Sequence, residues 1–367
     1  MNRIEEFEAK WERLRGLLEA KDVGGILLSK RSTFAWLTAG GQNYVVAASE
    51  GGVGSLLVTD EKVYVVANNI ENHRLLEEET RDLPVEPVLF PWELEPTEKP
   101  AALKKILAGR KLAADGKEGD VDVTTDLMHL RHPLLPPEVD RYRELGSTTE
   151  QVMYRVCHDL RPGMTEYQVA SRLAADCLDV GTDATVRLVA FDERIDKYRH
   201  PIPTEKELES RAMVVLCARK DGPIANLTRL VNFKPIDMDL RQRHDSVCRV
   251  DAAFNLASKP GATLGEVFAR GVSQYQSEGF GDEWRLHHQG GTTGYEGRDV
   301  KGTPGCEVRL VAPTAVAWNP SIRGTKSEDT FLVTDRGVEN ITFSKDWPQV
   351  GAQIDLGTLQ RCDILEV

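Results

Sequence analysis

The strongest constraint on how this chain folds is a motif used twice. Pro162-Gly163-Met164-Thr165-Glu166-Tyr167-Gln168-Val169 is echoed by Pro260-Gly261-Ala262-Thr263-Leu264-Gly265-Glu266-Val267, both reading PGxTxxxV, at an offset of 260 − 162 = 98 residues. Each copy follows a long helical stretch, turns, and offers a threonine as the cap of a second helix. That second helix ends near a glycine, Gly181 in one copy and Gly279 in the other. A turn and a threonine cap starting a helix, used twice in two similar halves, is the physical reading of such a duplication.

The chain ahead of the repeat has its own pattern. Ile4, Phe7, Trp11, Leu14, Leu17 and Leu18 fall on one face of a helix over residues 3–21. Gly24-Gly25 ends it, and Ile26-Leu27-Leu28 reads as a short buried strand. Val53–Ala67 holds two apolar runs split by Thr59-Asp60-Glu61, which predicts a hairpin. A helix over 72–79, a strand over 85–90, a helix over 101–108 and the strand-like KLAADG complete an α/β domain. Residues 120–137, with RHPLLPP near the end, read as a linker, and from Glu138 a long helix runs on, with proline at its start. The expected division is 1–130, including linker, and 131–367.

Composition narrows the function classes. The formal net charge of −12 argues against non-specific nucleic-acid binding. The N-terminus, MNRIEEFEAKWERLRGLL, is amphipathic with no signal-type apolar core, and no run is long enough to span a bilayer. Cys157, Cys177, Cys217, Cys248, Cys306 and Cys362 are scattered without CxxC spacing, as in reduced cytoplasmic proteins. The expectation is a cytoplasmic protein with neither a membrane nor a nucleic-acid partner. A cysteine nucleophile has no local signature in its favour.

Ala317–Gly337, AWNPSIRGTKSEDTFLVTDRG, reads as two short strands joined by a turn, with Asn319, Lys326, Glu328 and Asp329 between them. Polar residues there either line a cavity or form a solvated hairpin end. SEDTFLVTDRG resembles the last strand of the pita-bread hydrolases, the family of methionine aminopeptidase, prolidase, aminopeptidase P and creatinase. The resemblance implies a pseudo-two-fold α+β domain, in agreement with the repeat, and makes Glu328 a metal-ligand position. KRSTFAWLTAGG resembles the start of the creatinase N-terminal domain, which implies the two-domain arrangement. It also implies a homodimer in which Trp36 and Tyr44 are candidates for contacts with the other subunit.

Carried over residue by residue, the resemblance exposes substitutions. His200, in YRHPIP, matches the family's histidine at the reacting group. Asn226-Leu227-Thr228-Arg229 matches Asp-x-Thr-Arg with an amide in place of the carboxylate, and counting back puts the preceding aspartate position on Val215. In LHHQGGTTGYEGRD, His288 matches the ligand histidine, and Tyr295-Glu296 replaces a later His-Glu. His287 and His288 should point to opposite faces of an extended chain, with His288 facing the site. Asn319-Pro320-Ser321 stands where the family has Glu-Pro-Gly. Of five metal ligands only His288 and Glu328 remain in kind, and one imidazole with one carboxylate does not hold two divalent ions.

The resemblance therefore implies the fold and argues against a metallopeptidase mechanism; no cofactor is expected. The expected activity is creatinase-like or Xaa-Pro-peptidase-like hydrolysis of a C–N bond in a small or dipeptide-like molecule without metal. His200, His288 and Glu328 are the catalytic candidates, and Asn226, Arg229, Tyr295, Glu296 and Asn319 would bind substrate. The alternatives are an inactive homologue acting as a binding module and, third, a metal-dependent Xaa-Pro peptidase.

Overall fold

The computed structural model describes residues 1–367 and divides into two compact units, Met1–Pro137 and Glu138–Val367. The boundary thus lies a few residues beyond the expected one. In the first unit the helix Arg3–Lys21 is capped by Asn2 in a reciprocal box with Glu5. Its apolar face, with Phe7, Leu14 and Leu17, is buried. A six-stranded sheet runs in the order β4-β3-β2-β1-β5-β6, with β1 Gly25–Lys30, β2 Gly51–Val58, β3 Val63–Asn68, β4 Val85–Phe90, β5 Leu112–Ala114 and β6 Val121–Asp122. The expected linker is instead folded into this unit. Val121–Asp122 joins the sheet edge, and Thr124–Leu130 is a helix.

Trp36 is fully buried in the helix Arg31–Leu37, which contradicts its expected role in a subunit contact. An indole enclosed by its own domain reaches no neighbour. Tyr44 stacks under the Arg31 guanidinium, 3.7 Å from ring centroid to Cζ. No helix is long and apolar enough to cross a membrane.

The second unit carries the duplication down to individual hydrogen bonds. Thr165 caps the helix Glu166–Asp179 in a box with Gln168, and Thr263 caps Leu264–Ser277 in a box with Glu266. The preceding glycines, Gly163 and Gly261, both have positive φ, 90° and 87°, the left-handed turn that glycine adopts without a Cβ penalty. Gly163 N–H donates to the Leu208 carbonyl and Gly261 N–H to the Leu310 carbonyl, each at 2.8 Å. The long helices Pro136–His158 and Met238–Ala257 precede the two copies.

Two sheets face these helices. One has the order β17-β9-β8-β7, from β7 Asp183–Phe191, β8 Arg211–Arg219, β9 Ile224–Asn232 and the C-terminal β17 Leu365–Glu366. The other has the order β11-β10-β12-β15-β16, from β10 Gly290–Thr293, β11 Val300–Lys301, β12 Thr314–Trp318, β15 Phe331–Thr334 and β16 Gly337–Asn340. The expected strand pair is β12 with β15, and between them lies a small hairpin of β13 Ser321–Ile322 and β14 Thr325–Lys326.

Residues 327–330 stitch the two sheets together. Thr228 N–H donates to the Glu328 carbonyl at 3.1 Å, and Asn226 N–H to the Thr330 hydroxyl at 2.7 Å. A solvated hairpin end is excluded, because every residue from Ser327 to Thr330 is buried.

Candidate active site

The seam between the two sheets collects the polar residues. On β9 side chains alternate between faces, so Asn226, Thr228 and Leu230 share one face while Leu227, Arg229 and Val231 share the other. Leu227 and Val231 pack into the helix-facing core with Val152, Leu173 and Val214. Arg229 therefore leaves the site. It pairs with Asp329 at 2.9 Å and donates to the Thr342 carbonyl at 2.9 Å. Asp329 also takes Arg361 at 2.8 Å, and Arg361 holds Asp251 at 2.5 Å. The expected substrate-binding role of Arg229 is thus corrected: it anchors a buried charge network beneath the seam. Tyr295 is likewise enclosed, its hydroxyl 2.6 Å from the Glu138 carboxylate, and is a structural contact rather than a substrate ligand. Glu296 is half-buried on the turn after β10, and Arg298, two residues on, is the one that reaches Glu328.

Glu328 sits at the centre of the seam, with Lys326 Nζ at 2.6 Å, Arg298 Nη2 at 2.9 Å and the Thr228 hydroxyl donating at 2.7 Å. Burial would raise its pKa, but Lys326 and then Arg298 outweigh burial and hold it down to about 2. A carboxylate so far below neutral pH, with its charge already matched, is a weak proton acceptor and has nothing left for a cationic substrate. Both Glu328 carboxylate oxygens are thus already engaged by Lys326, Arg298 and Thr228, so in this arrangement Glu328 is a buried counter-ion and not the catalytic group expected of it.

Asn226 Nδ2 donates to the Thr293 hydroxyl at 3.0 Å, leaving its Oδ1 buried without a partner; Asn319 Oδ1 is also buried and unpartnered. Val215 packs among Leu188, Ala190, Met213 and Leu230. Cys217, which faces Asn226 across the β8–β9 ladder, has its thiol pushed up to about 12 by burial and next by Glu328. It is therefore not a nucleophile.

Histidines form the other half of the site. His200 Nε2 and His287 Nε2 are 3.0 Å apart, and the ring centroid of His288 is 5.7 Å from that of His200 and 4.7 Å from that of His287. The expectation that only His288 faces the site is therefore corrected. Alternation holds within a strand, and β10 begins only at Gly290; His287 and His288 lie on the irregular exit from the turn Glu283–Leu286, so both turn toward His200. An ion pair between Arg199 and Glu283 joins the two segments, and Gln289 Nε2 holds the His287 carbonyl at 2.6 Å.

Burial, followed by the field of Lys326, lowers His200 below the usual imidazole range; burial and Lys326 take His287 down to about 2. Burial, then Arg298 and Lys301, bring His288 to about 4. All three shifts favour the neutral imidazole.

Lys326 and Arg298 were absent from the site foreseen in the sequence, although Lys326 lay in the stretch that drew attention. They decide whether a pair of divalent ions fits. The five ligand positions hold alkyl, amide, amide, imidazole and one carboxylate, and that carboxylate already carries two cations. The residues present do not fit a carboxylate-bridged metal pair, because added positive charge would meet two fixed cations and a single anion.

Comparison with known proteins agrees with this architecture. The model of metallopeptidase family M24 matches residues 140–335. An uncharacterized peptidase of Staphylococcus saprophyticus is 24% identical over 233 residues, which is 61% of this chain and 66% of the relative's own length. The Xaa-Pro dipeptidase from Bacillus anthracis superposes with a TM-score of 0.76 at 19% identity, over 98% of this chain and 100% of that one. The N-terminal domain of the FACT complex subunit SPT16 from chickpea has a TM-score of 0.70 at 13% identity, over 93% and 95%. These structural likenesses establish the two-domain pita-bread fold.

Proposed function

The chain belongs to metallopeptidase family M24, hydrolases of C–N bonds, and on that premise we propose that it cleaves such a bond in a small dipeptide-like molecule without the family's metal pair. The observation that carries this reading is the occupation of the ligand shell by protein cations, Lys326 and Arg298 on Glu328. With no bridging carboxylates, the proton chemistry falls to imidazole.

His200 is the exposed member of the cluster, so its ring meets a substrate first, and His287 holds it from behind at 3.0 Å. In the proposed reaction a neutral His200 takes a proton from water as the water oxygen bonds to the carbonyl carbon. The C–N bond then breaks, and the imidazolium returns that proton to the departing nitrogen. The lowered basicity of His200 makes the return step favourable. Lys326, Arg298 and Lys301 lay a positive field over the imidazoles, which favours the negative charge that develops on the carbonyl oxygen. Asn226 and Asn319 supply unpartnered amide oxygens for a substrate N–H.

A panel of Xaa-Pro dipeptides and small amides, assayed with chelator-dialysed protein, tests the reading. Turnover that resists chelator and falls at least about a hundredfold in His200→Ala, within the usual range for a general base, is expected. Turnover that appears only on adding manganese or cobalt overturns it. A binding module is the second reading, favoured by the likeness to the SPT16 domain and by the spent charge of Glu328. It predicts no turnover on any member of the panel.

A further inference from the structure

We propose that His200, His287 and His288 form a capture site for one borderline transition-metal ion of the zinc or nickel type, sharing only the His288 position with the metal pair of the family, and that its occupancy switches the enzyme off. The inhibitory half of this proposal rests on the reading of His200 as the proton carrier; the binding half does not.

One ring nitrogen from each histidine lies within 4.8 Å of the other two. Ligand nitrogens around a tetrahedral zinc ion, at roughly 2.0–2.1 Å from the metal, are separated by roughly 3.3 Å. His200 and His287, at 3.0 Å, are already at that spacing, and His288 needs only a small side-chain movement to close the third edge. Three imidazoles leave the fourth position of a tetrahedron open on the exposed side of His200. His287 Nδ1 and His288 Nδ1 are buried without a hydrogen-bond partner, so the polar capacity of this cluster is not consumed within the fold. The His200 segment is tied to the His287 segment by Arg199 and Glu283, which holds two ligands in place before any ion arrives.

The surroundings set which ion enters. Lys326, Arg298 and Lys301 act on these rings, with Glu328 as the opposing charge. That field disfavours any cation, and hard ions such as magnesium and manganese, which want oxygen ligands, gain nothing to offset it. Zinc, nickel and copper bind neutral imidazole strongly enough to do so. Coordination at His200 Nε2, the nitrogen that faces His287, sets a positive charge on the ring and lowers the basicity of Nδ1, the nitrogen left for the substrate, so a bound ion suppresses proton uptake by His200.

The test uses the full-length protein, stripped with chelator and desalted, titrated with zinc by calorimetry and with cobalt by visible absorption. The expected result is one ion per chain, with affinity reduced at least tenfold in His287→Ala and in His288→Gln. The exposed His73→Ala should bind as the wild type does. Circular dichroism of each variant separates loss of ligand from loss of fold, and His200→Ala, at an exposed position, provides a third ligand deletion. No binding, or binding unchanged in the folded cluster variants, overturns the site. Where turnover is measured, zinc should abolish it at the concentration that half-fills the site, and chelator should restore it. Binding without inhibition overturns the switch alone. Binding by a protein with no turnover at all would count against the proposed hydrolase and leave the site standing.

Discussion

Replacing Lys326 by methionine isolates the charge exchange at the centre of the seam. Glu328 is held at about 2 instead of the ordinary 4.5, a difference worth on the order of 3 kcal/mol. That figure is the excess of Lys326, Arg298 and Thr228 over the cost of burial. Methionine fills most of the lysine's volume but leaves a buried carboxylate facing Arg298 alone, and breaking a buried pair costs about 3–5 kcal/mol.

For a unit of this size each kcal/mol moves Tm by roughly 2–4 °C, so Lys326→Met should melt roughly 6–20 °C lower at neutral pH. The sign with pH follows from the carboxylate. Stability from a depressed pKa is present above the unfolded value and lost as pH falls toward the folded one, so the deficit of the variant should shrink below about pH 4.5. Adding Glu328→Gln to Lys326→Met removes the stranded charge and should recover most of the loss. Thermal melts at several pH values, with the double-mutant cycle, measure all of this. A single-variant loss under about 1 kcal/mol, or strictly additive losses in the double variant, would refute the assignment of Lys326 as the counter-ion.

Two other predictions probe the scaffold. His244 is buried against Thr325 at 2.8 Å, with Cys248 and Asp363 each at 3.5 Å and Arg241 nearby; burial first, and then the balance of Asp363 against Arg241, brings its pKa to about 4. A neutral imidazole of this kind stabilises fully above about pH 6.5, and the stability is lost as pH falls toward 4, by up to about 3 kcal/mol. Urea unfolding should record that decline, and His244→Gln should lessen it. Gly290 has φ +100°, and a Cβ there would lie 2.2 Å from the Ala317 carbonyl oxygen. Gly290→Ala should therefore weaken the β10–β12 pairing by at least about 2 kcal/mol, a loss that chemical denaturation would detect and that an unchanged midpoint would contradict.

Much of the fold was legible because its signals are local. The PGxTxxxV copies announce turn, cap and helix within eight residues, and the glycines beside them need positive φ whatever surrounds them. Strands such as Val85–Phe90 follow from apolar runs between breakers. The short elements were not legible: β6 and the helix Thr124–Leu130 are too brief to establish a period, and the proline-rich stretch after them read as linker. At the site, motif matching found His200, His288, Asn226, Asn319 and Glu328 but could not assign roles that depend on partners far along the chain. Arg298 reaches Glu328 across thirty residues, while Lys326, only two residues away, carried no sequence signal that its side chain would turn onto the same carboxylate. Arg229 matched its motif, yet strand parity turned it into the core. His287 was set aside by an alternation rule that does not hold before the strand begins.

The central claim is that protein cations have taken over the electrostatic role of the metal pair. Manganese binding tests it most directly, because this hard ion prefers the carboxylate-rich site of the family and gains little from imidazoles alone. Chelator-stripped protein soaked in excess manganese, desalted and subjected to elemental analysis should retain no more than a trace. Retention near two manganese ions per chain would contradict the account and return the chain to the metal-dependent peptidases.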